Sequence, residues 1–270
     1  MKRKILLFIP MYNCEKQIVR VLHQLTGNIE NYVDEMIIVN NRSTDNGEQI
    51  VQDYLSSGNL KISAKLLRNK ENYGLGGSHK VAFKYAKEHG FDYVIVLHGD
   101  DQGHIEDILP YLKNKEYEKH DCLLGARFKK GAKLEGYSAF RTFGNRVYNM
   151  LFSIVVHKKI YDLGSGLNMY SVKMLEDDFY LKYKDNLMFN YCMILGSAYN
   201  KHDMEFFPIR WSEDDQISNV KMVNQAIVVL KLLGSYVINK RKFVEAEHRD
   251  NPLFKYEAEV IYTNEIKSAN

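Results

Sequence analysis

The first half of the chain alternates between short apolar or β-branched runs and longer amphipathic segments. Five short runs bounded by Pro, Asn, Asp or Gly predict β-strands at Lys4 to Pro10, Glu35 to Asn40, Ile62 to Leu67, Tyr93 to Leu97 and Cys122 to Ala126. Apolar residues at three- and four-residue steps predict helices at Glu15 to Leu25, Asp45 to Leu55, Gly76 to His89 and Ile105 to Leu112. The alternation predicts an α/β fold, with a mainly parallel sheet flanked by helices on both faces.

The second half, from about residue 128, contains longer helical stretches. The pattern predicts helices at Arg141 to Val156, Lys173 to Leu181, Leu187 to Tyr199 and Ile217 to Ile238, and a strand at Met204 to Arg210. The last segment is rich in charge and predicts a solvated flap or a partly disordered tail. We therefore divide the chain into a domain over 1–242, with halves 1–127 and 128–242, and a charged tail over 243–270.

Composition narrows the class of protein. With 270 residues the chain suits one large α/β domain or one domain with a helical appendage, and two independent domains are possible but not required. Lys and Arg total 37 against 34 for Asp and Glu, a balance that gives no reason to expect a nucleic-acid partner. The three cysteines are far apart and form no CxxC pair. Neither a disulfide framework nor a zinc site is therefore expected, and a reducing cytoplasm fits best.

Two apolar segments are too short to cross a membrane. The first, Ile5 to Ile9, ends at a proline, and the second, Ala226 to Ile238, is interrupted by Lys231, whereas a spanning helix needs about 20 predominantly apolar residues. We expect no transmembrane span. The expected location is the cytoplasm, and peripheral contact with the cytoplasmic face of a membrane stays open.

Polar residues directly follow three of the predicted strands. These segments are Pro10 to Glu15, Asn40 to Asp45 and His98 to Gln102. Ligands of open α/β sheets bind beyond the carboxyl ends of the strands. We therefore expect all three segments to face one crevice.

Six short motifs, taken in order, resemble those of the family 2 glycosyltransferases, and among them the polyprenyl-phosphate sugar transferases typified by dolichol-phosphate mannosyltransferase. The motifs are Phe8 to Asn13, Ile38 to Asp45, Asn72 to Gly77, Leu97 to Gln102, Gly125 to Arg127 and Asp162 to Gly166. The resemblance covers roughly residues 4–221. It implies a Rossmann-like GT-A fold with a C-terminal helical extension, and transfer of a sugar from a UDP- or GDP-sugar with inversion.

The resemblance also implies which residues bind the donor and its metal. Asp100 is the expected main ligand of Mn²⁺ or Mg²⁺, with Gln102 beside it and His98 where the family has the first Asp of a DxD motif. Because histidine is a poor ligand for Mg²⁺, the choice of metal stays open. The residues expected to bind the nucleotide sugar are Pro10, Tyr12, Asn13, Glu15, Asn41, Ser43, Gly76, Lys80, Asp100 and Lys221.

The base pocket departs from the family pattern. Asn40 and Asn41 stand where the family has an acid pair whose second member accepts a hydrogen bond from a base N–H. The Asn41 carbonyl still offers an acceptor to uracil N3–H, without the strength of a charge. Weaker nucleotide binding or a different base stays open. Lys80, one turn inside a helix that follows three glycines, is expected to reach a phosphate.

On the acceptor side, Arg127 and Arg141 have the spacing with which relatives bind an acceptor phosphate. Two guanidinium groups that converge on one phosphate recognise it in a bidentate way that lysine does not match. Asn145 lies one turn beyond Arg141 and Ser165 belongs to the last motif, so both are expected at the acceptor. Asp162 is expected in a structural role or in contact with the sugar. The catalytic set is Asp100, Arg127, Arg141 and Asp162.

The nature of the nucleophile decides the acceptor class. Relatives that act on hydroxyl groups supply an acidic base, whereas the matching region here, Asn186 to Tyr191, has no carboxylate. An anionic polyprenyl phosphate needs no base, so it is the favoured acceptor. Asp185 or Asp214 could still serve as the base in transfer to a sugar hydroxyl during polysaccharide assembly. A catalytically inactive nucleotide-sugar-binding protein is the third reading, and the sequence does not indicate an oligomeric state.

Overall fold

The computed structural model describes residues 3–213 and 222–264, and within them two sheets. The strands are β1 (Ile5–Met11), β2 (Glu35–Asn40), β3 (Ser63–Asn69), β4 (Tyr93–Leu97), β5 (Cys122–Ala126), β6 (Lys133–Glu135), β7 (Leu167–Ser171), β8 (Met204–Pro208), β9 (Arg210–Ser212) and β10 (Ala258–Asn264). The large sheet has the order β10-β3-β2-β1-β4-β7-β5-β8, and β6 pairs with β9 in a small second sheet. Strands β2, β4 and β5 have the bounds expected from the sequence.

The helices are α1 (Ile18–His23), α2 (Gly47–Ser56), α3 (Gly74–Glu88), α4 (Leu109–Lys113), α5 (Ala139–Val156), α6 (Phe189–Tyr199), α7 (Met222–Ile238) and α8 (Lys240–Glu245). Strand β1 shows how they cover the sheet: Leu6 and Phe8 belong to the core on one face, and Leu7 and Ile9 to the core on the other. Helices on both faces of a sheet agree with the sequence analysis. No helix in the described part of the chain is long and apolar enough to cross a membrane.

The central strand β7 was not expected from the sequence. It pairs antiparallel with both β4 and β5, so Leu167 at its start lies opposite Leu97 at the end of β4. The segment that precedes β7 therefore lies at the same edge of the sheet as the carboxyl ends of the parallel strands. There the Gly166 carbonyl accepts a hydrogen bond from the His98 backbone N–H at 2.8 Å.

One expected helix is absent. Over Lys173 to Leu181 the structure has only a 3-10 turn, at Lys173–Leu175. Asp178 has a φ of 57°, a left-handed conformation that interrupts a helix. The strand expected at Met204 to Arg210 is divided between β8 and β9, which belong to different sheets.

The tail is also different from the expected flap. It contains α8 and the edge strand β10, which pairs antiparallel with β3. Just before β10, Phe254 and Tyr256 pack on Tyr73, with ring centroids 4.9 and 5.4 Å away. The described part of the tail therefore belongs to the sheet domain, because aromatic burial and strand pairing outweigh its charged composition.

Candidate functional site

A cavity of about 350 Å³ lies at the carboxyl ends of β1, β2 and β4. As expected from the sequence, the three polar segments that follow these strands contribute to one crevice. Side chains that line it include Pro10, Tyr12, Asn41, Asn72, His98 and Asp100. This position agrees with the rule that open α/β sheets bind ligands beyond the carboxyl ends of their strands.

Asp100 supplies a carboxylate to this cavity. Burial raises its pKa to about 6, because the ionised form loses hydration there. The neighbouring Asp101 is already engaged, since its carboxylate accepts hydrogen bonds from Arg20 and Gln24 at 2.5 and 2.9 Å. The backbone N–H of Gln102 donates to Asp100 at 3.3 Å and fixes the turn. Of these two neighbouring aspartates, Asp101 is therefore structural and Asp100 faces the cavity.

His98 lines the same cavity but points toward the protein interior. Its ring packs against Gly166, where a Cβ would lie 3.1 Å from the His98 Cβ. Burial lowers the pKa of the imidazole to about 4, so the ring is neutral. Its Nε2 is buried and has no hydrogen-bond partner among the described residues. His98 therefore offers no carboxylate in place of the first Asp of a DxD motif, and Asp100 is the carboxylate that this segment presents to the cavity.

The described residues around Asp100 offer a divalent cation one carboxylate ligand and no complete set of protein ligands. The described residues contain no group of three His, Cys, Asp or Glu side chains that could hold a metal. A buried carboxylate is a suitable hard oxygen ligand for Mg²⁺ or Mn²⁺. A cation at this place would take Asp100 from the protein and its remaining ligands from a bound diphosphate and water.

The amide at Asn40 has a structural explanation. Its Nδ2 donates to Glu48 at 2.6 Å, and its Oδ1 accepts from the Ser43 N–H at 2.8 Å. Arg68 pairs with the same Glu48 and lowers the pKa of that carboxyl. A carboxylate in place of Asn40 would face Glu48 and repel it. The departure from the family pattern at this position therefore follows from the neighbouring acid.

Asn41 corrects an expectation from the sequence. Its Oδ1 accepts hydrogen bonds from the Tyr73 N–H at 2.8 Å and from Asn69 Nδ2 at 2.9 Å. Its Nδ2 donates to Asn72 Oδ1 at 2.8 Å. The carbonyl that we expected to meet uracil N3–H is thus already engaged by the chain.

Three other residues that we expected to bind the nucleotide sugar, Asn13, Ser43 and Glu15, connect the loops that follow β1 and β2. The Asn13 N–H donates to Ser43 Oγ at 3.0 Å, and Asn13 Oδ1 accepts from the Thr44 N–H at 2.8 Å. Glu15 accepts from the Asn46 N–H at 2.9 Å. These side chains hold one wall of the crevice in place, whereas Tyr12 and Pro10 line the cavity itself.

Lys80 does not lie where we expected it. It is completely buried, and its Nζ donates to the Tyr183 carbonyl at 2.5 Å, to Asp185 at 2.7 Å and to Tyr256 Oη at 3.1 Å. Burial lowers the pKa of the ammonium group to about 8, and Asp185 opposes that shift. The structure therefore removes Lys80 from the phosphate-binding set, and it commits Asp185, one of the two alternative bases, to an ion pair.

Gly76 is likewise a packing residue. A Cβ at this position would lie 2.5 Å from the Lys184 carbonyl and 2.6 Å from Phe189 Cβ. The N–H groups of Gly76 and Gly77 donate to the Asp185 carbonyl at 2.7 and 3.2 Å, so the first turn of α3 is occupied by the chain itself. The glycines thus allow close approach of the backbone around Asp185, and not of a phosphate as the sequence suggested.

The two arginines on the acceptor side are brought together by a tyrosine that the sequence analysis missed. The guanidinium carbons of Arg127 and Arg141 lie 5.7 and 4.4 Å from the ring centroid of Tyr137. Asn145 Nδ2 donates to Tyr137 Oη at 2.9 Å. Arg127 also stacks on Trp211, 4.9 Å away. The position of this tyrosine between the two candidate arginines in the sequence could have indicated it, because guanidinium groups stack on aromatic rings.

Both arginines have carboxylate partners. Arg127 binds Asp162 through Nε and Nη2, each at 2.8 Å, and Arg141 binds Glu213 at 2.5 Å. Asp162 is therefore a structural partner of Arg127. Glu213 is a further residue that the sequence analysis did not single out, although it directly follows β9.

Ser165 is a second correction on this side. It is buried, and its Oγ donates to the Leu167 carbonyl at 3.1 Å. A Cβ on Gly125 would lie 2.8 Å from Ser165 Oγ, so Ser165 faces the sheet and not an acceptor. Lys221, expected to bind the nucleotide sugar, and Asp214, one of the two alternative bases, lie outside the described residues.

The donor and acceptor sides meet at the loop that follows β4. The Ser212 N–H in β9 donates to the Gln102 carbonyl at 3.1 Å, and Gly103 forms a β-bridge with Trp211. Trp211 in turn stacks on Arg127. The loop that carries Asp100 is therefore in direct contact with the strand that flanks the arginines.

Comparison with solved structures shows the same fold. The crystal structure of residues 1–349 of TarS from S. aureus in complex with UDP-GlcNAc matches with a TM-score of 0.56 at 19% identity, over 87% of this chain and 67% of that one. Glucosyl-3-phosphoglycerate synthase from Mycobacterium tuberculosis in complex with uridine-diphosphate matches with a TM-score of 0.57 at 13% identity, over 88% and 80%. Both similarities concern the fold, which is that of the GT-A glycosyltransferases.

Sequence comparison gives the family. A UDP-N-acetylglucosamine–dolichyl-phosphate N-acetylglucosaminyltransferase from Methanococcus voltae is 26% identical over 183 residues, 64% of this chain and 71% of that one. A dolichol-phosphate mannosyltransferase from Pyrococcus furiosus is 26% identical over 138 residues, 51% of this chain and 37% of that one. The family model described as glycosyl transferase family 2 matches residues 7–179, more than half of the chain. The chain therefore belongs to glycosyl transferase family 2 and is a glycosyltransferase.

Proposed function

We propose that this protein transfers a sugar, with inversion, from a nucleoside diphosphate sugar to a polyprenyl phosphate at a membrane surface. The observation that carries the proposal is the pair Arg127 and Arg141, which share the ring of Tyr137 beside the loop that bears Asp100. Two guanidinium groups next to a donor cavity suit an acceptor that is itself a phosphate.

The donor side of the proposal rests on the cavity. It lies at the carboxyl ends of the strands and presents a carboxylate, Asp100, where a diphosphate needs a divalent cation to offset its charge. When bound, Mn²⁺ or Mg²⁺ would stabilise the departing diphosphate as a Lewis acid. Structural neighbours were solved with UDP or UDP-GlcNAc, which supports a nucleotide-sugar donor.

The acceptor side rests on the state of three carboxylates in the described part of the chain. Transfer to a hydroxyl needs a general base that is free to accept a proton. Asp162, Glu213 and Asp185 are each held in an ion pair, with Arg127, Arg141 and Lys80 respectively. A phosphate acceptor is already anionic and needs no base. The two sequence relatives are named for transfer to dolichyl phosphate or dolichol phosphate, which is the same class of acceptor.

The membrane position rests on two helices with apolar exposed faces. On α5, Phe140 and Phe143 are 70% and 67% exposed, and Met150 and Ile154 continue the stripe along the helix. On α7, which contacts α5, the exposed apolar residues are Ile227, Val228, Leu230, Val237 and Ile238.

The charged residues within the two segments that carry these stripes are all basic, and three of them, Arg141, Lys158 and Arg241, pair with carboxylates from outside the segments. The segments 139–159 and 222–242 contain no Asp or Glu, and their charged residues are Arg141, Arg146, Lys158, Lys159, Lys231, Lys240, Arg241 and Lys242. Apolar stripes among basic residues fit the surface of an anionic bilayer. This face would hold the acceptor arginines close to a lipid-bound phosphate.

The test is transfer of labelled sugar from a panel of CDP-, UDP- and GDP-sugars into a solvent-extractable lipid fraction, with Mn²⁺ or Mg²⁺. We expect label in lipid only when polyprenyl phosphate is added. Release of nucleoside diphosphate with a saccharide acceptor, and no label in lipid, would replace this acceptor by a sugar hydroxyl. Failure with every donor would contradict the enzymatic function.

A further inference from the structure

The cavity beyond β1, β2 and β4 combines an exposed aromatic side chain with two amide side chains. The ring of Tyr12 is 51% exposed there, and it shares the cavity with the amide side chains of Asn41 and Asn72. An exposed aromatic face beside polar groups suits a nucleobase, because the face stacks on the base while the polar groups read its edge. What those amides present to the base depends on which atom of each one faces the cavity.

The orientation of the Asn41 amide is fixed by the backbone. The Tyr73 N–H, 2.8 Å away, can only donate, so the atom that it contacts must be the oxygen. Asn69 Nδ2 donates to the same oxygen at 2.9 Å. Because a carbonyl oxygen has two lone pairs, both acceptor positions of Asn41 are filled.

The Asn72 amide is fixed in the same way. Its Oδ1 accepts from the Gly74 N–H at 3.1 Å and from Asn41 Nδ2 at 2.8 Å. The two amides keep three N–H groups without a hydrogen-bond partner among the described residues, the second one of Asn41 and both of Asn72. This edge of the cavity therefore offers hydrogen-bond donors and no free side-chain acceptor from either amide.

We infer that this edge selects cytosine, so that the donor substrate is a CDP-sugar and not a UDP- or GDP-sugar. The inference rests on the proposed function, in which the cavity holds a nucleoside diphosphate sugar. Two neighbouring donors match two neighbouring acceptors, and cytosine presents N3 and O2 side by side. Uracil presents N3–H between its two oxygens, and the N1 edge of guanine presents N1–H and an amino group, so each would place a donor against a donor. Guanine carries adjacent acceptors, O6 and N7, on its other edge, and tighter binding of GDP than of CDP would show that this other edge is read.

This conclusion differs from the family pattern for a physical reason. A carboxylate at position 41 would keep one oxygen for Tyr73 and Asn69 and turn the other to the base as an acceptor. In the amide that second atom is Nδ2, which donates to Asn72 Oδ1 and has one further N–H to offer. One atom thus changes from acceptor to donor, and the preferred base changes from one with an N3–H to one with an unprotonated N3.

The experiment is calorimetric titration of the full chain with free CDP, UDP and GDP, without acceptor. These ligands share ribose and diphosphate, so the ratio of dissociation constants isolates the base. We expect CDP to bind roughly 5- to 10-fold more tightly than UDP, the effect of about one hydrogen bond. Equal or tighter binding of UDP or GDP would overturn the inference.

The outcomes separate this inference from the proposed function. Transfer to lipid phosphate from a UDP- or GDP-sugar, together with preference for that nucleotide, would leave the function in place and remove the cytosine assignment. Absence of binding by all three nucleotides would remove both.

Two variants and a control test the residues. Asn41→Asp and Asn72→Asp each replace an amide donor by an acceptor, and Asn72 is exposed, so the second change does not threaten the fold. We expect each to lower the preference for CDP over UDP by roughly 5-fold or more. Asn31→Asp adds the same charge at an exposed site outside the cavity and should leave the ratio unchanged. An unchanged ratio in both cavity variants would contradict the inference.

Discussion

The carboxylate of Asp162 binds the guanidinium of Arg127 at two points, with Nε and Nη2 each 2.8 Å from a carboxylate oxygen. The Arg127 backbone N–H donates to the same carboxylate at 2.9 Å. The Arg127 side chain is 10% exposed and that of Asp162 is 2% exposed, so the pair is almost withdrawn from water. Asp162 thus orients the arginine whose flat face stacks on Trp211 and Tyr137.

We predict that Asp162→Ala destabilises the protein by about 3 to 5 kcal/mol, because it leaves a buried guanidinium without a counter-charge. The free energy of unfolding in urea measures the effect. Glu205→Gln, which disrupts the more exposed pair with Lys129, is the matched control and should cost less than about 1 kcal/mol. A loss in Asp162→Ala as small as in the control would show that Arg127 finds another partner.

Asp100 and Asp101 are neighbours with separate roles, which a pair of variants can distinguish. Asp100→Asn should abolish metal-dependent turnover and leave the unfolding temperature nearly unchanged, because its carboxylate faces the cavity. Asp101→Asn weakens contacts with Arg20 and Gln24, so it should lower stability and keep activation by metal. Steady-state rates across a titration of Mn²⁺, together with thermal unfolding, provide both measurements. Full activity of Asp100→Asn would sink the metal assignment.

Glu213 pairs with Arg141, the arginine to which the proposed function assigns the acceptor phosphate. We predict that Glu213→Gln lowers the KM for a polyprenyl phosphate several-fold and leaves the KM for the donor unchanged, because it frees a guanidinium group for the incoming phosphate. Glu135→Gln, an exposed change in the neighbouring strand β6, is the control. A collapse of kcat in Glu213→Gln, with KM unchanged, would instead identify Glu213 as a general base and favour a hydroxyl acceptor.

The network of Glu48, Arg68 and Asn40 predicts a pH dependence of stability. The hydrogen bond from Arg68 holds the pKa of Glu48 below its ordinary value of 4.5. A carboxyl with a depressed pKa in the folded state stabilises the protein above the unfolded pKa, and this contribution is lost as pH falls through the folded pKa.

Glu48→Gln should therefore cost about 1 to 2 kcal/mol at pH 7 and progressively less below pH 4.5. Urea denaturation at pH 7 and at successively lower pH checks the difference between the variant and the parent protein. Glu71→Gln, the same change at an exposed position, controls for the change of net charge. A difference that does not depend on pH would mean that Glu48 acts through packing and not through its charge.

The exposed phenylalanines of α5 predict membrane binding. The double variant Phe140→Ser and Phe143→Ser should reduce co-sedimentation with anionic vesicles at least about tenfold, because each ring loses apolar area that the bilayer would cover. Leu253→Ser removes an apolar residue that is 85% exposed in the tail, outside α5 and α7, and should have no effect. Equal binding by the double variant and the parent protein would rule out this face.

Local pattern alone determined much of the fold. The sequence predicted the parallel strands, most of the helices and the placement of three polar segments at one edge of the sheet, because side-chain periodicity reports local conformation. It missed β7, which contains a polar residue, Asn168, at a buried position. The Oδ1 of Asn168 accepts a hydrogen bond there from the Gly125 N–H at 3.2 Å. It also misjudged the tail, since a charged edge strand has little local signal until β3 is beside it.

The site divides in the same way. The sequence predicted that Tyr12, Asn41, Asp100, Arg127 and Arg141 belong to the site. The structure places the first three in one cavity and both arginines around one tyrosine. Only the tertiary structure decided which polar groups remain free for a ligand. Lys80 is engaged by Asp185 and Tyr256, far away along the chain, and the Asn41 carbonyl by Asn69 and Tyr73. Whether a donor or acceptor is saturated depends on partners that only folding brings within about 3 Å, and no local pattern contains that information.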